Sequence, residues 1–211
     1  MAVIGLKYMI CAPITESNSA VSHKNGHVMS HAIGAEISIN LSEANLSADD
    51  RIVESIKEFR EGSLNLNGDH LAYKTLSLLL GHKIEKQPDG TEMLIAKGDD
   101  DGQFVGVGFY ATSIKSGVRR FRAIWLRKVK FGVPSESLET KGGTGINFQT
   151  PEISGTILTD ILGIWKEEAL FATEAEAREW LNGKADIQDD EVIPENDDNS
   201  PNDTQEDAEN D

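Results

Sequence analysis

Three histidines, His23, His27 and His31, recur every four residues. On a helix that spacing stacks three imidazoles on one face, where they can share a transition metal. Asn25-Gly26 interrupts the run and a strand pattern takes over at His31, so neither a helix nor a metal centre is predicted there. His70 and His82 flank a predicted helix, a place where histidine more often caps or faces water. Asp99-Asp100-Asp101-Gly102 has the flavour of a calcium loop but lacks its twelve-residue ligand pattern and closing Glu, and reads as a solvated turn. Lys141-Gly142-Gly143-Thr144-Gly145 is glycine-rich without the order of a phosphate-binding loop. No G-x-S-x-G occurs, and Cys11 has no histidine that the sequence pairs with it. No catalytic, cofactor-binding or metal-ligating residue is predicted, and the chain is not expected to be an enzyme.

The strongest chemical concentration is cationic. Lys115, Arg119, Arg120, Arg122, Arg127, Lys128 and Lys130 are seven of the chain's 20 cations within 16 residues. They belong to the run from Phe104 to Phe131, read as two long strands folded about Ser116-Gly117. The second arm, Val118 to Phe131, would extend roughly 45 Å, well beyond an average strand. Strict alternation puts Phe121, Ala123, Trp125, Val129 and Phe131 on one face, as core. Val118, Arg120, Arg122, Ile124, Leu126, Lys128 and Lys130 fall on the other. That second face fits either an outer surface crossed by snorkelling basic stems or a contact with another subunit. With Phe121 and Trp125 interleaved, residues 115–130 also fit a nucleic-acid platform of stacking rings and phosphate contacts. Against that platform, Phe121 and Trp125 sit on the predicted core face.

Strand signals dominate the elements around this hairpin. Val3 to Ile10 is a short apolar strand. His31 to Asn40 alternates, with Ile33, Ala35, Ile37 and Ile39 inward. Leu41 to Glu58 has few strand formers and reads as a long connection, a loop or helical turn around Ser47-Ala48-Asp49-Asp50. Ser63 to Asn67 alternates again. A helix is predicted over Leu71 to Leu80, capped by Asp69 and stopped at Gly81. A second is predicted over Glu174 to Leu181, with a Thr173/Glu176 capping box and a stop at Asn182-Gly183. Between them lie a hairpin at Pro88-Asp89-Gly90 and a strand from Ile146 to Leu158, in which Pro151 marks a bulge or edge. The pattern is a mainly antiparallel β domain of the α+β class, with one helix in the middle and one at the end.

Net charge is −16, unevenly placed. Residues 186–211 hold 12 acids and no Lys or Arg, leaving 24 acids and 20 bases in residues 1–185. Little in the acidic segment can be buried, so it is expected to be a disordered C-terminal tail following one domain over 1–185. A single cysteine excludes an internal disulfide and suits a reducing compartment. The opening MAVIGLKYMICAPI has no basic n-region, and no window is apolar enough to span a membrane as a helix. The protein is expected to be made in the cytoplasm.

The order GFYATSIKSGVRRFRAIWLRKVKFGVPSES, then TGINFQTPEISGTIL, then WKEEALFATEAEAREWLNGK, resembles the major tail proteins of long-tailed, non-contractile bacteriophages. MAVIGLKYMICAPITE and ADDRIVESIKEFREGSLNLNGDHL fit the same family, so the resemblance spans residues 1–185. VSHKNGH lengthens the first connection, and the acidic segment after Lys184 falls outside the family core. The resemblance implies a tail-tube fold, two packed antiparallel sheets in a sandwich or partial barrel with flanking helices. It implies six copies per ring, rings stacked into a tube, and a shared inner barrel through which DNA passes without specific binding. It implies residence in the virion tail, with tape-measure, terminator and distal tail proteins as further partners and no membrane. The segment from Leu41 to Glu58 would reach a neighbouring subunit. Asp49, Asp50, Arg51, Ile52, Arg120, Arg122, Trp125 and Lys128 are the inter-subunit candidates. The alternative function is a nucleic-acid-binding module built on the hairpin 115–130.

Overall fold

A computed structural model of the chain describes residues 2–48, 51–115, 117–134 and 150–188. Every strand pairing among these is antiparallel. The first strand, β1 (Ala2–Ser17), receives β2 (Ala20–His23) and β3 (His27–Ser30) on one side. After one residue the chain continues as β4 (Ala32–Ala48), which pairs along β5 (Arg51–Gly68). β5 leads to α1 (Tyr73–Leu80) and to a small separate hairpin, β6 (Lys83–Lys86) and β7 (Glu92–Ile95), turning through the expected Pro88-Asp89-Gly90. Then come β8 (Val105–Lys115), β9 (Val118–Phe131), β10 (Glu152–Leu158), β11 (Lys166–Phe171) and α2 (Glu174–Ala185).

The large sheet runs β2-β1-β8-β9-β10-β5-β4, with β3 also on β1 and β11 also on β9. Residues 27–48 therefore hydrogen-bond to β1 at one edge of this order and to β5 at the other. One chain segment bridges both ends, and the sheet curls into a partial barrel. The mainly β architecture with flanking helices agrees with the sequence reading.

The β8–β9 hairpin forms as predicted, but strict alternation fails along β9. Val105 faces Val129 while Val107 faces Leu126, so β9 carries one extra residue at Arg127-Lys128. Such a bulge inverts the parity of everything beyond it. Phe121, Ala123 and Trp125 pack outward beneath α2, with Ile10, Tyr110, Ala177 and Leu181. Ile124 and Leu126 join Val129 and Phe131 in the barrel interior, with Met9, Leu64, Leu66, Ile153 and Ile157. Ile124 and Leu126 thus belong to this chain's own core, and β9 is covered on both faces.

Three other boundaries move. Pro151 lies just before β10, where its carbonyl accepts from Gly68 N–H; residues 146–149 fall outside the described part. α1 starts at Tyr73 with Ala72 as its uncapped N-cap, because the Asp69 carboxylate is engaged by His31 and His70; Gly81 ends it in the left-handed region as expected. α2 has the predicted Thr173/Glu176 box but runs through Asn182-Gly183 to Ala185. Burial of Leu181 and Ala185, and the Tyr8 hydroxyl donating to Asn182 Oδ1 (2.6 Å), carry the helix past its expected stop.

Candidate functional site

The segment Leu41 to Glu58, read from sequence as a loop, is the outer half of the β4–β5 hairpin. Strand propensity is low here, yet the ladder begun by the alternating residues 32–40 continues to Ala48 opposite Arg51. Tertiary continuity overrides a weak local preference. β10 pairs with β5 only from Gly62 to Asn67, so among the described residues the two strands pair only with each other beyond Leu41 and Phe59. Eight residues of strand make an arm roughly 25 Å long. Leu41 (55% exposed) and Ile56 (52%) stand open on it, and Lys57 pairs with Glu43 at 3.4 Å. A two-stranded ribbon is marginal in water without something packed on it. Arg51 is the first β5 residue and Ile52 the second; Asp49 and Asp50 lie outside the described residues.

The arm's base continues into a second apolar feature. Phe59 stacks on Trp165 (4.6 Å, 1° between planes). Trp165 follows a tight loop, Ile161-Leu162-Gly163-Ile164, whose three aliphatic side chains are 38–50% exposed. Buried Asp160 organises that loop: its Oδ1 accepts from Leu162 N and Ile164 N, each at 2.9 Å. Its Oδ2 sits 2.5 Å from Arg127 Nε. Arg127 is the bulge residue of β9, and its N–H donates to Trp165 O at 3.0 Å in the gap between β10 and β11. Glu167 bridges the Arg127 guanidinium and the Lys184 ammonium. Burial opposes ionisation of Glu167, but the hydrogen bonds from Lys184 and Arg127 outweigh it and hold the carboxyl below its usual range. His23 caps the group, bonding Arg127 O (2.8 Å) with its ring edge on Trp125; burial lowers its pKa despite that bond. The bulge, the buried ion pairs and the exposed aliphatic loop are one construction.

Three further cations of β9, Arg122, Lys128 and Lys130, are paired within the chain. Arg122 forms a two-bond fork with Glu168 (2.7 and 2.7 Å), which drives the Glu168 carboxyl down to about 2. Lys128 meets Glu16 at 2.6 Å, and Lys130 meets Asp101 at 2.5 Å and Gly102 O, both ammoniums lying near the Phe104 ring. Arg120 is half-buried and Arg119 exposed. Trp125 is fully buried beneath α2, so it is not presented to another subunit. Of the inter-subunit candidates, Arg51 and Ile52 lie on the arm, while Arg122, Trp125 and Lys128 are engaged internally. Sequence reasoning missed β11, whose Lys166-Glu167-Glu168 resembles a helical surface. The charge alternation of Arg122 and Arg127 against Glu168 and Glu167 was the available signal. It also missed the Ile161–Ile164 loop, signalled by Asp160 ahead of a glycine-containing aliphatic run.

The three spaced histidines separate. His23 lies on β2, buried His27 on β3 beside Cys11 and Thr75, and His31 at the β3–β4 break. Cys11 is buried, and burial pushes its thiol up to about 12. His82 pairs with Asp100 (2.9 Å), which also accepts from Lys97 N, so the Asp99–Gly102 turn is closed by side chains of this chain. The glycine-rich 141–145 lies outside the described residues. No protein-family model and no curated protein matches this sequence.

Proposed function

We propose that the protein is a structural subunit that self-assembles into stacked rings, the tube of a phage tail and a conduit for DNA. The observation that carries this reading is the β4–β5 arm, on which Leu41 shares a face with Phe59, itself stacked on Trp165 beside the aliphatic loop 161–164, while Ile56 stands exposed on the opposite face. Such a surface costs free energy in water and is stabilised by burial against another copy. The resemblance of residues 1–185 to major tail proteins supplies the arrangement: six copies per ring, the arm reaching a neighbour, and a residence in the virion. Tape-measure, terminator and distal tail proteins are the further partners. A conduit works best without fixed cations facing its cargo, so Arg120, Arg122, Lys128 and Lys130 are placed away from the lumen. Internal pairing of Arg122, Lys128 and Lys130 is compatible with that. It also leaves the hairpin 115–130 less able to act as a nucleic-acid platform, since those cations already hold carboxylates.

Negative-stain electron microscopy over a concentration series tests the proposal. Rings or hollow tubes are expected. Monomers at every concentration, together with DNA affinity that falls steeply with salt, would replace it with the nucleic-acid reading.

A further inference from the structure

Where β5 ends, the chain doubles back onto the start of β4. Ala32 pairs with Gly68, and a Cβ on Gly68 would lie 2.0 Å from Ser30 Oγ, so only glycine permits this approach. The next residue, Asp69, is thereby pressed against His31. Its Oδ1 accepts from the main-chain N–H of His31 (3.0 Å) and of His70 (2.8 Å). The carboxylate is thus oriented by the backbone before any imidazole contributes. His31 Nδ1 lies 2.7 Å from Oδ2, and His70 Nδ1 lies 2.9 Å from Oδ1. One ligand atom from each of the three residues falls within 4.8 Å of the other two, and all three residues are exposed.

We propose that His31, Asp69 and His70 bind one divalent transition-metal ion of the imidazole-preferring class, such as Zn2+, Co2+ or Ni2+. Donors bound to one ion at about 2.1 Å stand roughly 3 Å apart, close to the nitrogen–oxygen separations already present. Two neutral imidazoles and one carboxylate are the donor set such ions prefer over magnesium or calcium. Each Nδ1 donates its proton to the carboxylate in the free protein. On binding, that proton moves to Nε2 of the same ring through water, so neither ring need change charge. The exposed rings turn by small rotations to point Nδ1 at the ion, and water completes the coordination. Because His31 immediately precedes β4 while Asp69 and His70 follow β5, the ion ties together the open end of the β4–β5 hairpin, the end opposite the projecting arm. The site is independent of the tube reading.

The test uses the full chain, freed of metal by chelator and titrated with Co2+. A visible d–d absorption band should appear at stoichiometric cobalt and be displaced by Zn2+. His31→Ala and His70→Ala should each weaken binding at least about tenfold, since loss of a ligand costs no less than loss of its outer support. Thermal unfolding should shift upward with Zn2+ in the wild type only. Asp69→Asn is a third variant, but the two histidine changes are at exposed side chains and keep the fold. No band in the wild type at millimolar cobalt would overturn the proposal. So would a band unchanged in both histidine variants.

Discussion

Asp160→Ala tests the construction that joins the β9 bulge to the aliphatic loop. The substitution removes two main-chain hydrogen bonds of 2.9 Å to Leu162 and Ile164, and the partner 2.5 Å from Arg127 Nε. Asp160 is 5% exposed, so solvent offers little compensation. Breaking one side of a buried ion pair costs about 3–5 kcal/mol. Glu167 still contacts Arg127, which favours the low end, about 3 kcal/mol. For a chain of this size that is a fall in melting temperature of roughly 6–12 °C. Urea unfolding of monomer, followed by tryptophan fluorescence, measures it, with buried Trp125 as reporter. Asp160→Asn keeps an acceptor for the loop and should cost about half as much. Adding Arg127→Met to Asp160→Ala should cost at least about 1 kcal/mol less than the two single losses together. A loss below about 1 kcal/mol for Asp160→Ala, or full additivity of the pair, would refute the view that the network holds the bulge and the loop.

Four further outcomes are expected. Leu41→Asp with Ile56→Lys should leave monomer stability within about 0.5 kcal/mol but abolish the proposed assembly into rings and tubes, read by calorimetry and electron microscopy. Gly106→Ala should cost about 1–3 kcal/mol, because its Cβ would lie 2.3 Å from Trp125 Cζ2; near-ultraviolet circular dichroism should report the disturbed indole. Acid should destabilise the protein through Glu168: its carboxyl is depressed from 4.5 to about 2, chiefly by the Arg122 hydrogen bond. That stability is complete above pH 4.5 and is lost as pH falls toward 2; Glu168→Gln should flatten this acid limb of the unfolding curve. Cys11, buried with its thiol raised to about 12, should react with a thiol reagent only at the rate of global opening, so that label uptake tracks unfolding.

Residues whose information is local were legible from sequence. The Thr173/Glu176 box, Gly81 as helix stop, the Pro88-Asp89-Gly90 turn and the long β8–β9 hairpin each rest on neighbours in the chain. What escaped depends on partners far away. The bulge at Arg127-Lys128 exists because β10 and β11 meet at that point of β9 from residues 152 and 166 onward, and no alternation count along 118–131 reveals it. The arm 41–58 escaped because Ser, Asn and Glu at its surface follow a ladder set by residues 32–40. Asp69 was read as a helix cap for want of any sign that His31 comes within 2.7 Å of it. The chemical content was partly visible: the basic run was correctly located, while its neutralisation by Glu16, Glu167 and Glu168 lay in distant segments.

The order of strands also sets a timetable for synthesis. β1 emerges first, but its long partner is β8, with Cys11 opposite Val107. At about 5–20 residues per second, translation leaves β1 without that neighbour for roughly 5–20 seconds. The outward face of β8 and β9 waits longer still, until α2 supplies Ala177 and Leu181. A nascent chain therefore shows sticky edges and an uncovered Trp125 until the final helix arrives. The last described element to be made is the one that seals the core, so a truncated product lacking α2 carries an open face and is marked for aggregation or proteolysis.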